Sequence, residues 1–228
     1  MKLSVIVPTW NEEQTILQTI QSLQSQITTY PTEWIIVDGG STDATCQLAG
    51  STEATVISSK RGRAKQMNAG ARVATGDVLL FLHSDSLLEQ GCLEELGKVI
   101  SQKNAISGCF QLAFSDSNLF LDFIAWGSHL RAKVWKIMFG DQGIFIKRDL
   151  FKQVGGFPEI ELMEDWEFSS TIKKHGKIDI VKKKIYTSSR RFRKGGIWKT
   201  FWLMQKIKWM YWRGVSPKVL RKYYHDRR

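Results

Sequence analysis

Cysteine, proline and long apolar runs are all scarce in this 228-residue chain. Its three cysteines, Cys46, Cys92 and Cys109, are widely spaced and form no CxxC pair, which argues against a disulfide framework and a cysteine zinc site. No apolar stretch reaches the roughly 20 residues that a membrane-spanning helix needs. A strand begins almost directly after Met1, so no signal peptide is indicated. We therefore expect a protein of a reducing, cytoplasmic compartment.

Acidic residues are missing mainly from the end of the chain. Residues 173–228 contain 19 lysines and arginines and only two aspartates, which gives a formal charge of +17. The remaining 172 residues carry −6, although the whole chain carries +11. The 43% hydrophobic content is sufficient for one globular core. The sequence thus predicts an acidic body with a basic tail.

Three predicted strands, at residues 3–8, 33–38 and 78–82, are mainly apolar runs, and polar residues stand at or just after the end of each. Such runs are typical of strands that are buried on both faces of a parallel sheet. The carboxyl ends of parallel strands share one edge, where open α/β sheets bind ligands. Asp38 ends the second run and precedes Gly39, so it could select hydrogen-bond donors of a nucleoside. The alternative is that it only caps the helix that follows.

Strands and helices alternate through the first half of the chain. The patterns predict strands at 3–8, 33–38, 54–58, 78–82 and 106–114, and helices at 12–27, 42–49, 63–74 and 89–102. A long amphipathic helix at 119–139, a strand at 144–146, a helix at 164–174 and short strands at 178–181 and 185–187 follow. This alternation predicts an α/β fold with a mostly parallel sheet and helices on both faces.

Three sequence blocks carry a family resemblance. They are Val-Ile-Val-Pro-Thr-Trp-Asn-Glu at 5–12, Val-Asp-Gly-Gly-Ser-Thr-Asp at 37–43 and Leu-His-Ser-Asp at 82–85. With these blocks in this order, the chain resembles the family 2 glycosyltransferases, nucleotide-sugar enzymes with the GT-A fold. The likeness covers residues 1–195 and leaves 196–228 as a basic, aromatic helical appendage. It implies sugar transfer from a nucleoside diphosphate sugar, with UDP the first expectation and GDP the second.

The resemblance also implies which residues contact the donor. Asp38 would contact the base, and Arg190 and Arg191 would hold the diphosphate, since the guanidinium fork matches phosphate oxygens. From sequence alone, Arg63 and its basic neighbours could equally form a solvated helix face. The full set implied for the nucleotide sugar is Pro8, Thr9, Asn11, Glu12, Asp38, Gly62, Arg63, Gln66, Ser84, Asp85, Asp141, Gln142, Arg190 and Arg191.

A divalent cation, Mn²⁺ or Mg²⁺, is expected to neutralise the departing diphosphate. The family usually presents an Asp-x-Asp element for it, but here the element reads His83-Ser84-Asp85. Asp85 matches the metal-holding carboxylate. His83 could complete a site suited to Mn²⁺, could hydrogen-bond ribose or phosphate, or could simply end the strand.

A pair of carboxylates, Glu164 and Asp165, matches the family's catalytic element. Asp165 corresponds to the general base that deprotonates the acceptor hydroxyl, and Glu164 would orient it or contact the acceptor. A single base without a protein nucleophile implies inversion at the anomeric carbon. The same two charges would also favour any helix N-terminus without having a function.

The segment 197–213 contains four of the nine tryptophans, and Lys199, Lys206 and Arg213 recur every seven residues. Such a helix can lie in a bilayer interface, which would make the protein peripheral on the inner face of the plasma membrane, with a lipid-linked or amphiphilic acceptor. It could instead pack on the catalytic body or in a dimer.

The alternative function is that of a nucleic-acid or nucleotide-binding protein without transferase activity, but this alternative leaves Asp38, Asp85 and Asp165 unexplained. A nucleotidyltransferase is disfavoured because no GxGxxR-like loop lies near the N-terminus.

Overall fold

The computed structural model describes residues 1–102 and 104–225, and its strands form a single eight-stranded sheet. The strands are β1 (Leu3–Thr9), β2 (Thr32–Asp38), β3 (Thr55–Ser58), β4 (Val78–Phe81), β5 (Ser86–Leu88), β6 (Ser107–Phe114), β7 (Ile144–Lys147) and β8 (Ile178–Thr187). Their order across the sheet is β3-β2-β1-β4-β7-β6-β8-β5.

Helices fill the connections between the strands. They are α1 (Ile16–Gln24), α2 (Thr45–Gly50), α3 (Arg63–Val73), α4 (Cys92–Gln102), α5 (Leu119–Trp135), α6 (Arg148–Gln153), α7 (Glu164–Ile172), α8 (Arg190–Gly195), α9 (Ile197–Trp212) and α10 (Pro217–His225). A 3-10 turn, Gly140–Gln142, precedes β7.

The first four strands in the chain are mutually parallel, so their carboxyl ends lie at one edge. β7 runs antiparallel to both β4 and β6 and joins this half to the second half of the sheet. β6 and β8 are again parallel, with a register shift after Phe110, and β5 closes the far edge antiparallel to β8. The predicted α/β fold with a mostly parallel sheet is confirmed.

Alternating side chains of β1 point to opposite faces of the sheet and pack into two separate hydrophobic cores. Val5 and Val7 face α1 and α4, whereas Ile6 faces α3 on the other side of the sheet. α3 approaches closely because Gly70 has no side chain; a Cβ there would lie 2.4 Å from Cγ2 of Ile6. Helices thus cover both faces and leave the carboxyl-end edge accessible.

The C-terminal helices pack against the body. Phe192 of α8 joins Leu112, Phe114 and Leu121 in one apolar cluster. Ile207 of α9 and Leu220 of α10 bury themselves against Met163, which immediately precedes α7. Within the described ranges, no helix has both the length and the apolar character to cross a bilayer.

Several predicted boundaries were wrong. The helix expected at 12–27 begins only at Ile16, since Asn11, at φ 52°, and Glu12 form a loop that hydrogen bonds to the loop after β2. The helix expected at 119–139 ends at Trp135, because Lys136 adopts the left-handed conformation at φ 58°. The two short strands expected after residue 177 are one continuous strand, β8. β5, α6 and α8 were not anticipated, and the described part of the segment expected as a helical appendage, 196–228, contains two helices, α9 and α10.

Candidate active site

The ends of β1 and β2 form one side of a cleft at the carboxyl-end edge. Thr9 lies opposite Asp38 in the parallel register, and the Gly39 amide donates to the Thr9 carbonyl at 2.9 Å. Gln66, from the first turn of α3, donates through Nε2 to the carbonyls of Thr9 and Val37 at 2.7 and 2.9 Å. Its Oε1 accepts from the Gly62 amide at 3.3 Å. The Gln66 amide therefore joins the two strand ends.

Asp38 is buried and is held by its own turn. Its Oδ2 accepts from the Gly40 and Ser41 amides at 2.8 and 3.0 Å, and its Oδ1 accepts from the Ser41 hydroxyl at 2.5 Å. Although burial acts to raise it, these hydrogen bonds hold the pKa of Asp38 below its ordinary value. The side chain is therefore ionised and fixed before any ligand arrives.

The loop after β1 lies against the loop after β2. The Asn11 side chain accepts from the Thr42 amide at 2.9 Å, and Pro8, just before the loop, remains partly exposed. Glu12 faces α8, where Arg190 approaches its Oε2 at 3.4 Å. This ion pair brings residues 178 positions apart in the sequence to the same edge of the sheet.

His83, Ser84 and Asp85 follow β4 at the same edge. Ser84 is buried, and its carbonyl accepts from the Thr19 hydroxyl at 2.8 Å. Burial, followed by the Glu12 carboxylate, raises the pKa of Asp85, against the opposing effects of Arg190 and Arg63. Burial and the nearby Arg63 and Arg191 lower the pKa of His83 to about 3, so the imidazole is neutral at pH 7.

The 3-10 turn at Gly140–Gln142 lies directly against His83. A Cβ at Gly140 would come within 2.5 Å of His83 Nε2, so only glycine permits this approach. Among the described residues, none offers a hydrogen-bond partner to three buried atoms here: His83 Nε2, Asp141 Oδ1 and Gln142 Nε2. Buried polar atoms without a partner are costly, so this turn keeps hydrogen-bonding capacity that the packing around it leaves unused.

Glu164 and Asp165 begin α7 and are both buried. Glu164 Oε1 accepts from Arg63 Nη1 at 3.2 Å, while Asp165 Oδ2 accepts from the Gly140 amide at 3.1 Å. Burial and the adjacent Glu164 raise the pKa of Asp165 to about 7. Met163 precedes them at φ 69°, a conformation that is strained for a side chain of this size and that sets the direction in which α7 begins.

Arg63 links the predicted site residues electrostatically. Its charge acts on His83, on Asp85 and on Asp165, in addition to its ion pair with Glu164. Asp85 and Asp165 therefore share one cleft, although 80 residues separate them in the sequence. Asp38 lies on the same edge through its pairing with β1, but its carboxylate is directed into its own turn.

Comparison with known proteins assigns the chain to a family. A profile of glycosyl transferase family 2 matches residues 4–155, which is two thirds of the chain. The PGL/p-HBAD biosynthesis glycosyltransferase of Mycobacterium bovis is 30% identical over 177 residues, covering 73% of this chain and 67% of that protein. This chain belongs to glycosyl transferase family 2. The predicted family is thereby confirmed, and the chain carries a glycosyltransferase domain.

Solved structures agree with the family assignment. Residues 1–349 of S. aureus TarS match this family 2 chain with a TM-score of 0.66 at 22% identity, over 84% of the chain and 61% of that structure. The mannosyltransferase PcManGT from Pyrobaculum calidifontis, solved with GDP-Man and Mn²⁺, matches with a TM-score of 0.64 at 24% identity, over 80% of the chain and 56% of that structure. At such identities the likeness establishes the fold alone, and it confirms the GT-A prediction. The chain spans about three fifths of the TarS structure.

Within the described part of this family 2 chain, no three His, Cys, Asp or Glu side chains cluster closely enough to hold a metal ion by themselves. Mg²⁺ and similar ions are commonly bound by one or two carboxylates together with substrate phosphates. Asp85 fits that arrangement, since its carboxylate lies in the cleft near that of Glu12, and a cation would offset the repulsion between the two. His83 fits less directly, because its Nε2 is covered by the backbone of Gly140.

Three side chains in or beside the cleft were missed from the sequence. Arg131 of α5 is buried and donates from Nη2 to Gln142 Oε1 at 2.7 Å. Lys208 of α9 lies 5.4 Å from the centre of the Phe139 ring, and burial, with Arg131 nearby, lowers its pKa to about 8. Tyr211 of α9 hydrogen bonds to Glu167 of α7. Arg131 stood in an apolar helix pattern, a signal that could have singled it out from the exposed Lys133.

Proposed function

We propose that this chain transfers a sugar from a nucleoside diphosphate sugar to an acceptor hydroxyl, with inversion at the anomeric carbon. The observation that carries the proposal is the buried Asp165, whose pKa of about 7 suits a general base at neutral pH. Its Oδ1 and Oδ2 accept from the Trp166 and Gly140 amides at 2.8 and 3.1 Å, which fixes the direction of the carboxylate. The buried Asp38 differs from it, because the hydrogen bonds of its own turn hold its pKa below the ordinary value.

The donor is assigned to the edge formed by β1, β2 and β4. Asp38, Asn11 and Pro8 would line the nucleoside side, and Arg190 and Arg191 of α8 would face the diphosphate. We place UDP first and GDP second. TarS has been crystallised with UDP-GlcNAc and with UDP, and PcManGT with GDP-Man, and these related folds support a nucleotide sugar as the donor here.

Asp85 would hold a divalent cation, with His83 as a second contact from the same strand end. When bound, the cation offsets the charge that develops on the leaving diphosphate. The Mn²⁺ in the PcManGT structure supports such a requirement. Arg63 contributes positive charge from the protein itself, and its ion pair with Glu164 holds it within the cleft.

The acceptor would enter from the side of Gly140–Gln142. Asp165 takes the proton of its hydroxyl as the oxygen attacks the anomeric carbon, and the diphosphate leaves from the opposite face. Because one base acts without a protein nucleophile, the configuration inverts. Asp141, which is partly exposed, would hydrogen bond the hydroxyls of a sugar, while the fully buried Gln142 would hold the turn in place through its bond with Arg131. We propose a lipid-linked or amphiphilic acceptor, because α9, beside this turn, exposes tryptophans.

A thermal-shift panel tests the donor assignment. The purified chain is heated with UDP, GDP, ADP or CDP, each with Mn²⁺, with Mg²⁺ or with a chelator. A ligand present at a hundred times its dissociation constant stabilises the folded protein by about 2.7 kcal/mol. We expect a metal-dependent shift for UDP. A shift for none of the four diphosphates under any metal condition would contradict the proposal.

A second assay tests the reaction itself. A nucleotide sugar that gives the shift is incubated with enzyme and no acceptor, and slow release of the nucleoside diphosphate is followed. A transferase hydrolyses its donor slowly in this way. Release at the same rate from an Asp165→Asn variant would assign the hydrolysis to another residue or to a contaminant.

A further inference from the structure

Two helices far apart in the sequence expose apolar stripes on the same side of the molecule. α9 exposes Trp198, Trp202, Trp209 and Trp212, whose spacings of four, seven and three residues place them on one face of a helix. The opposite face of α9 buries Thr200 and Ile207 against the body. The face of α9 that carries the tryptophans is therefore exposed to solvent and is not part of the core.

α5 carries a matching stripe that the sequence pattern did not reveal. Five of its exposed apolar residues, Leu119, Phe123, Trp126, Leu130 and Val134, recur every three or four positions, while the exposed Trp135 lies off this stripe. The opposite face buries Leu121, Ala125 and Arg131. α5 therefore needs no further apolar cover for its own stability, yet it presents a row of large apolar side chains to solvent.

Aromatic contacts join the two stripes into one surface. The Phe120 ring of α5 lies 4.0 Å from the ring of Trp198 and 5.4 Å from that of Phe201, both on α9. Phe123 stacks on Trp126 at 5.9 Å along α5, and Phe201 meets Trp202 at 5.5 Å along α9. Phe120 also lies 6.4 Å from Phe123. An unbroken series of ring contacts thus runs from Trp126 to Trp202, and an exposed apolar surface of this kind marks an interaction site.

The charges around this surface indicate what covers it. Residues 190–225 contain 11 lysines and arginines and no acidic residue. Lys199, Lys206 and Arg213 form an exposed row directly beside the tryptophans of α9. The acidic side chain of α5, Asp122, is hydrogen-bonded by Ser117. Tryptophan favours the depth of lipid headgroups, and flanking basic side chains favour anionic lipids.

A second copy of the chain fits this surface poorly. A two-fold contact would place the same patch on both partners. The basic rows at Lys199, Lys206 and Arg213 would then face one another and repel. We propose that α5 and α9 together form one docking face for an anionic bilayer surface, with Trp126 and Trp202 inserted at headgroup depth. Docking does not depend on the transfer reaction, so it can be tested separately from it.

Sedimentation of the full chain with lipid vesicles tests whether α5 and α9 form a membrane-docking face. Vesicles of phosphatidylcholine alone are compared with an equimolar mixture of phosphatidylcholine and phosphatidylglycerol, at low and high salt. The Trp126→Ser variant isolates the contribution of α5. Its matched control is Trp135→Ser, since Trp135 is 66% exposed against 58% for Trp126 but lies on another side of the same helix. We expect several-fold weaker binding for the first variant and unchanged binding for the second.

Lysine variants test the preference for anionic lipid. Each basic residue near an anionic surface contributes about 1 kcal/mol, so Lys199→Ala should weaken binding to the mixed vesicles about fivefold and leave neutral vesicles unaffected. Equal binding by the Trp126 and Trp135 variants would exclude α5 from the face. A wild-type dimer in sedimentation velocity that the Trp126 variant loses, without vesicle binding, would assign the face to a second copy instead. Donor hydrolysis without vesicles should be the same in all of these variants.

Discussion

The two sides of the cleft differ in how their polar groups are satisfied. On the side of β1 and β2, the Asp38 carboxylate accepts three hydrogen bonds from its own turn, and the Gln66 amide joins two strand ends. On the side of β4 and α7, Asp141 Oδ1 and His83 Nε2 are buried without a partner among the described residues. The pKa of Asp38 is lowered, whereas the pKa of Asp165 is raised.

This difference separates recognition from chemistry. A carboxylate that is already ionised and hydrogen-bonded can present a fixed edge to a nucleoside without any change of state. A carboxylate whose pKa lies near 7 can take a proton and release it, which is what an acceptor hydroxyl requires. Burial of a carboxylate such as Asp165 lowers the free energy of unfolding, so this side of the cleft gives up stability for reactivity.

Replacement of Asp165 by asparagine should have the largest effect on activity. The amide side chain would keep the size of the carboxylate and one hydrogen-bond acceptor but could not take a proton. Loss of a general base typically costs between about 10² and 10⁴ in rate, so we expect kcat to fall by that factor while nucleotide affinity is retained. Steady-state transfer or donor hydrolysis measures kcat, and calorimetry measures the affinity.

The control is Glu167→Gln, which removes a charge from the same first turn of α7. Glu167 is exposed, and glutamine can still accept the hydrogen bond from Tyr211, so a loss of helix-end charge alone would appear in both variants. We expect the Glu167 variant to retain nearly full kcat. Equal losses in the two variants would show that Asp165 serves the helix end and not the reaction.

The first half of the fold was predictable because its strands are buried on both faces. β1, β2 and β4 read as mainly apolar runs, and the polar residues at their carboxyl ends share an edge because the strands are parallel. The convergence of Asp38 and Asp85 on one edge followed from that topology. The family resemblance supplied Asp165, whose distance along the chain gave no geometric indication of its position.

The acceptor side was less predictable because tertiary packing decides it. Arg131 reads as one of several basic residues in an amphipathic helix, but its guanidinium is buried against Gln142. The role of α9 depends on which of its faces packs on the body, and composition alone left a membrane helix and a packed helix both open. The structure has α9 packed through Ile207 while its tryptophans remain exposed.

Replacement of Asp85 by alanine should abolish the metal dependence of nucleotide binding. If Asp85 holds the cation, a hundredfold loss of affinity would reduce a stabilisation of about 2.7 kcal/mol to about 0.4 kcal/mol at the same ligand concentration. The thermal shift with nucleoside diphosphate and Mn²⁺ measures this. The shift with the diphosphate and a chelator should be the same in both proteins.

Asp77 provides the matched control. It lies before the first residue of β4, whereas Asp85 follows the end of that strand, and it is exposed and accepts from the Lys2 amide at 2.8 Å. Asp77→Ala should leave the metal-dependent shift intact. A full shift in the Asp85 variant would mean that the cation, if required, is held elsewhere.

The activity should depend on pH through Asp165. Its pKa of about 7 leaves the base protonated below neutrality, so kcat/KM should fall about tenfold for each pH unit below 7 and level off above. Glu164 contributes to the raised pKa, and Glu164→Gln should therefore move the midpoint to lower pH. A profile that is flat between pH 5 and pH 8 would contradict the assignment of Asp165 as the base.

Stability gives the most direct test of the contrast between the two sides, because replacing aspartate by asparagine at Asp38 and at Asp165 should change the free energy of unfolding in opposite directions. The folded pKa of Asp38 is below the ordinary value of 3.8, so its contribution is present at pH 7 and is lost as pH falls through the folded value. Asp38→Asn should destabilise by about 1 kcal/mol at pH 7 and by nearly nothing in strong acid.

Asp165 has the opposite linkage. Its folded pKa is about 7 against an ordinary value of 3.8, so the folded state binds more protons in that interval and stability falls as pH rises through it. Asp165→Asn should therefore raise the unfolding midpoint at pH 8 and leave it nearly unchanged below pH 4. Urea unfolding of both variants across this range measures the two signs. Destabilisation of both at pH 8 would mean that Asp165, like Asp38, is a structural carboxylate, and the distinction between the two sides would then be lost.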